Sequence, residues 1–188
     1  DPDILEGHNL FASDLPYLLQ RCALHELDCS IGRDGSEPRL LTSRTASPEF
    51  ERDTSVYELA GRHLVDTLLQ VEYYDFSKRS LESYDLSSLS LHFGLPTEKT
   101  AFLRARDTTA LWIEKPRMVL DSLKVNARTI KAVSDHLSPS SFHLAQMVPL
   151  SYGTIARTGS AVKIESLLLR EYLRLKHSIP RPEVGSQT

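Results

Sequence analysis

Asp14 is the residue whose type and setting most invite chemistry. It stands in "EGHNLFASDLPYLLQRC" (residues 6–22), after Gly7, His8 and Asn9 and just where Leu15, Leu18, Leu19, Cys22 and Ala23 take up helical spacing. Two readings fit it. It is either a carboxylate ligand for a divalent cation, or the acidic N-cap of a helix whose first turn tolerates Pro16.

The other chemical candidates have plainer readings. His8 beside Asn9 could touch a nucleotide, but a histidine at a strand end is more often hydrogen-bonded locally. His63 and Asp66 are i and i+3, so a strand carries them on opposite faces. No serine sits in a Gly-x-Ser-x-Gly elbow. Phe102, Trp112 and Phe142 could stack bases, yet they fall at apolar positions and read as core. Arg157, Lys163, Arg170, Arg174 and Lys176 gather near the C-terminus, either as phosphate contacts or as a solvated helix face.

The elements that must position these groups are mostly helical. The chain has 188 residues and 21.2 kDa, enough for one domain with a real core. Lys and Arg total 22 against 25 Asp and Glu, a net charge of -3, so no chain-wide basic field attracts nucleic acid. Cys22 and Cys29, without a CxxC, read as reduced core thiols. No apolar run approaches a membrane span, and the chain contains no basic-then-apolar signal peptide, so an intracellular location is expected. It begins with Asp1 rather than Met, as an excised or processed fragment would.

Residues 4–10 read as a strand end or turn, and Asp14 to Leu27 as a helix. Residues 28–53 are polar, rich in Gly, Ser, Arg and Pro, and read as a long exposed loop. Residues 54–66 suggest a hairpin, or a strand ending near Asp66, followed by a helix over 68–76. A short helix within 83–96 stops at Gly94 and Pro96. Further helices are placed at 99–106, 108–113, 116–137 and 160–177, with 178–188 as a tail or linker. The expected class is α/β, predominantly helical, with a small incomplete sheet.

Several segments resemble, in order, the 3'-5' exonuclease domain of family B DNA polymerases. They are Gly7-His8-Asn9-Leu10-Phe11-Ala12-Ser13-Asp14-Leu15-Pro16-Tyr17-Leu18, "GRHLVDTLLQVEYYDFSKRSLESYDLSSLSLHFG", and "VSDHLSPSSFHLAQMVPLSYGTIARTGSAVKIESLLLREYL" with the ending "HSIPRPE". The resemblance implies a partial ribonuclease-H-like fold over 1–177, with the first three strands of its sheet lying before Asp1. It also implies an acidic site for two divalent cations, and makes Asn9 and Phe11 candidates to meet a DNA strand end, beside Arg157 and Lys163 as phosphate contacts.

Family members build the metal site from an Asp-x-Glu, the aspartate that Asp14 matches, and a Tyr-x-x-x-Asp. Asp-x-Glu and Tyr-x-x-x-Asp are absent from the 188 residues, and Ser122 and Asn126 stand at the Tyr and Asp positions. Glu49-Phe50-Glu51 imitates the first motif only as solvated charge. Ser13 stands where the family has Phe. Asp14 alone would bind magnesium weakly, so it reads as a former ligand retained as a helix cap.

These observations predict a degenerate, catalytically inert exonuclease-like domain of a family B polymerase or polymerase-like protein. Its role would be architectural, or the binding of single-stranded DNA, in replication or repair, in the nucleoid or nucleus. No cofactor is expected, with Mg or Mn entering only if an active 3'-5' exonuclease is completed by residues outside this chain. The expected partners are single-stranded DNA, a polymerase domain or subunit, and a second copy of the chain through the open sheet edge, but no membrane. A protein-interaction module with no nucleic-acid role is the third reading.

Overall fold

The computed structural model describes residues 1–41, 55–95, 103 and 105–179. The second half of the 28–53 loop, Phe102, most of the helix expected at 99–106, Glu49 to Glu51 and nearly all of the C-terminal tail lie outside the described residues.

Two parallel strands form the centre. β1 (Ile4–Gly7) pairs with β4 (His63–Asp66) in the register Ile4 to His63, Leu5 to Leu64, Glu6 to Val65 and Gly7 to Asp66. The two-residue period of a strand divides them between faces. Leu5 and Leu64 join Phe11, Leu15, Val56, Tyr57 and Leu59 in one core, while Val65 packs on the opposite face with Tyr152 and Ala156. A second small sheet pairs β2 (Arg39–Leu41) with β3 (Val56–Glu58), antiparallel.

Two expectations change here. Residues 39–41 are strand rather than loop, because Leu40 and Leu41 find Tyr57 and Val56 as partners. The hairpin at 54–66 shrinks to a single bridge between Leu59 and Arg62, since β3 pairs with β2 instead of β4.

Helices cover the strands. A π-helical turn over Leu10–Asp14 runs directly into α1 (Leu15–Leu24). α2 (Thr67–Lys78) leaves β4, and α3 (Leu86–His92) ends before Gly94, whose φ of 61° suits glycine. α4 (Ala105–Glu114) precedes the long α5 (Pro116–Met147), followed by α6 (Tyr152–Arg157) and α7 (Ser160–Arg174).

α5 outruns its expected end at Leu137 by ten residues and passes through Pro139. One missing N–H is tolerated because both flanks are anchored: Val133 and Leu137 in the core with Val71 and Leu89, and Phe142 with its ring edge against Tyr152, 6.2 Å between centroids. α6 was not foreseen. It lies close on β4, where a Cβ on Gly153 would stand 3.1 Å from the Leu64 carbonyl oxygen. Trp112 and Phe142, expected in the core, are about half exposed. Among the described residues, no helix is long and apolar enough to cross a membrane.

Candidate functional site

The carboxyl ends of two parallel strands are where open α/β sheets place their ligand sites, because the connections leaving them diverge. Here those ends are Gly7 and Asp66, paired with each other.

Asp66 organises the site. Its Oδ1 accepts the backbone N–H of Asn9 at 2.9 Å and of Leu68 at 3.0 Å, and its Oδ2 accepts that of Phe11 at 3.1 Å. One carboxylate thus caps α2 and fastens the turn that follows β1. Asn9 takes the left-handed conformation that this turn demands, φ 70° and ψ 36°, which asparagine adopts more readily than most residues. Thr67 adds a bond from its hydroxyl to the Gly7 carbonyl at 3.1 Å.

His8 ties in a third segment. Its Nε2 donates to the Tyr84 carbonyl at 2.7 Å, and its Nδ1 lies 3.0 Å from the Thr67 hydroxyl. These partners lie 59 and 76 residues away, so the expected local hydrogen bonding is replaced by a long-range clamp. Tyr84 is itself placed by Asp75, whose carboxylate accepts the N–H groups of Ser80 and Leu81 and the Tyr84 hydroxyl. Burial pushes the Asp75 pKa up, but these bonds outweigh it and leave the group below its ordinary value.

Asp14 is not the helix cap expected of it. It has helical backbone angles, φ -67° and ψ -48°, because the π-helical turn before it already supplies the helix start, and it makes no capping bond. Its side chain turns toward the strand end instead, where a Cβ on Gly7 would meet its Oδ2 at 2.9 Å. The residue is exposed overall, but desolvation of the carboxyl over the strand raises its pKa. The negative charge of Asp66 adds to the rise, and His8 opposes it. Asp66 is also raised by burial, offset by the N–H groups of Phe11, Asn9 and Leu68 and by His8.

The other expected site residues divide. Phe11 is fully buried in the core, so its ring has no face left for a base. Asn9 stays half-buried at the turn. Ser122 is buried, with its hydroxyl 3.4 Å from the Leu103 N–H. Asn126 holds a buried Oδ1 with no hydrogen-bond partner among the described residues. α5 runs antiparallel to β1, since Ser134 bonds Glu6 while Phe142 and Ile4 border one cavity. Asn126, about 12 Å further along the helix axis than Ser134, therefore extends toward the strand end that carries Asp14.

Arg157 and Lys163 are half-buried rather than solvated, and burial lowers the pKa of each. Among the described residues, no three His, Cys, Asp or Glu side chains stand together as metal ligands. Asp66, weighed in the sequence only as a partner for His63 and as a strand end, is the group whose role was missed. Its signal was an aspartate followed by threonine at a strand-to-helix junction, the pattern of an N-cap.

No protein-family model matches the chain. It is 26% identical over 185 residues to a DNA polymerase of Archaeoglobus fulgidus, across 97% of the chain and 21% of that protein. It is 28% identical to the DNA polymerase delta catalytic subunit of Mesocricetus auratus, across 93% of the chain and 16% of that protein. In backbone it superimposes on the family B DNA polymerase of Pyrobaculum calidifontis with a TM-score of 0.75 at 20% identity, over 97% of the chain and 22% of that structure. The chain thus spans about a fifth or less of the length of the relatives it matches. Over nearly its whole length the chain is similar in sequence to a segment of archaeal and delta DNA polymerases, and in backbone to a segment of a family B DNA polymerase of known structure.

Proposed function

We propose that the chain is an exonuclease-like segment of a family B polymerase, or of a polymerase-like protein, that holds single-stranded DNA and braces neighbouring polymerase structure without cutting. The observation that carries this reading is the use made of Asp66. Both of its oxygens are committed to three backbone N–H groups, so the second carboxylate at the strand end builds the turn and is not presented to a cation.

Hydrolysis of a phosphodiester by two metal ions needs several carboxylates converging on them. Asp14 is one, while Ser122 and Asn126 offer neutral oxygens where relatives of this type would have a tyrosine and a charge. A bracing role suits α7, which leaves Ile164, Leu168 and Leu173 exposed. It also suits β1, whose second edge is unpaired among the described residues and could take a partner strand or a second copy. The relatives' name, DNA polymerase, is the ground for placing the role in replication or repair, in the nucleoid or nucleus.

An active nuclease completed from outside the chain is the second reading. Asp14 favours it, since no hydrogen bond among the described residues occupies its carboxylate and its raised pKa marks a site still partly desolvated. Mg or Mn would belong to that case alone.

Fluorescence anisotropy of a labelled single-stranded oligonucleotide tests the DNA-holding part. Binding that weakens as salt is raised is expected. No binding at low salt would remove DNA from the account and leave the protein-interaction role.

A further inference from the structure

The connection between β3 and β4 and the face of α6 enclose a cleft of about 660 Å³, a size that suits a small ligand. We propose that this cleft is a phosphate-binding site with the Arg157 guanidinium as its anion receptor. It uses none of the residues of the Asp14 site and does not depend on the reading of that site.

Arg157 lines the cleft with its side chain only 14% exposed, and among the described residues its one ion-pair contact is Glu58 Oε1 at 3.8 Å. That carboxylate is shared, because its Oε2 takes Arg39 at 2.9 Å. The other charges of the cleft are matched elsewhere. Arg62 donates to the Ile31 carbonyl at 2.9 Å and to the Pro2 carbonyl, and pairs with Asp1 at 2.6 Å. Glu37 accepts the Cys29 N–H at 2.8 Å. Among the described residues, Arg157 is therefore the under-coordinated cation of the cleft.

A guanidinium carries five donors in a planar fork that fits two phosphate oxygens side by side. Taking such a charge from water is costly unless an anion meets it at hydrogen-bond distance, and Glu58 stands too far and is already engaged. The lowered pKa of Arg157, caused by desolvation and only partly opposed by Glu58, agrees with that shortfall. Ser151 and His63 line the same cleft, the Ser151 hydroxyl being already engaged with Thr154 as the cap of α6. Glu58 is then the competitor that a phosphate must displace.

The phosphate could be that of a free nucleotide or of a DNA backbone. Titration calorimetry of the full chain with inorganic phosphate, with thymidine 5'-monophosphate, and with an oligothymidylate lacking terminal phosphate separates the two. Tighter binding of the monophosphate than of inorganic phosphate identifies a nucleotide site. Displacement of phosphate by the oligonucleotide identifies a backbone contact.

Saturable phosphate binding is expected, weakened at least tenfold in Arg157→Gln and tightened at least threefold in Glu58→Gln. Because Arg157→Gln could disturb folding, Arg39→Gln at an exposed position gives a second test. Freed from Arg39, Glu58 should close on Arg157 and weaken phosphate binding at least threefold. No saturable binding by the native chain, or an affinity unmoved by Glu58→Gln and Arg39→Gln in folded protein, would overturn the proposal.

Discussion

At the scale of single residues, Asp14 and Asp66 show two fates for carboxylates a few ångströms from one strand end. Asp66 is 5% exposed and accepts three N–H groups. Asp66→Ala removes all three bonds at once and should destabilise the fold by about 2–4 kcal/mol in chemical denaturation. Asp14 makes no such bonds, and it repels Asp66. Both carboxyls have pKa values above the ordinary 3.8, so the native state binds more protons than the unfolded chain just above that pH. Stability gained from protonation is present below about 3.8 and is lost as pH rises through the raised folded values. Asp14→Asn removes one of the two charges. It should raise the melting temperature at pH 7 and flatten the fall in stability between pH 4 and 7, as thermal melts at several pH values would show. That Asp14 lies beside the end of β1 was legible from its place soon after Gly7, His8 and Asn9. Its partner was not, because Asp66 lies 52 residues downstream and only the pairing of β1 with β4 brings the two together. Phe11 misled for a related reason: a loop aromatic beside a strand end is equally well explained by burial, and tertiary packing chose burial.

At the scale of elements, helical periodicity located α1, α2, α3 and α7 to within a few residues, together with the start of α5, and capping aspartates mark where α2 and α3 begin. Three elements escaped. β2 is three residues long and depends on β3 for its partners. The far end of α5 lies beyond Pro139, which local rules read as a stop. α6 is one and a half turns held by its contact with β4, too short for a periodic signal. That contact makes its own prediction. The backbone of Leu64 stands 3.1 Å from where a side chain would begin at Gly153. Gly153→Val should therefore push α6 away from β4 and cost about 1–3 kcal/mol of stability, measurable by urea denaturation.

At the scale of the whole molecule, the sequence carried the family resemblance over most of the chain because its motifs fall in order, and the likeness to archaeal and delta polymerases agrees. A small sheet component was expected, and β1 and β4 form a sheet of two strands among the described residues. What a linear reading leaves open is whether the strand end still works on DNA, since that depends on how charges converge in space. The most direct test incubates the purified chain with labelled single-stranded DNA and Mg²⁺ or Mn²⁺ and follows product length on a denaturing gel. An inert site predicts full-length DNA at every time point with either ion. Metal-dependent shortening from the 3' end, abolished by Asp14→Ala, would contradict it.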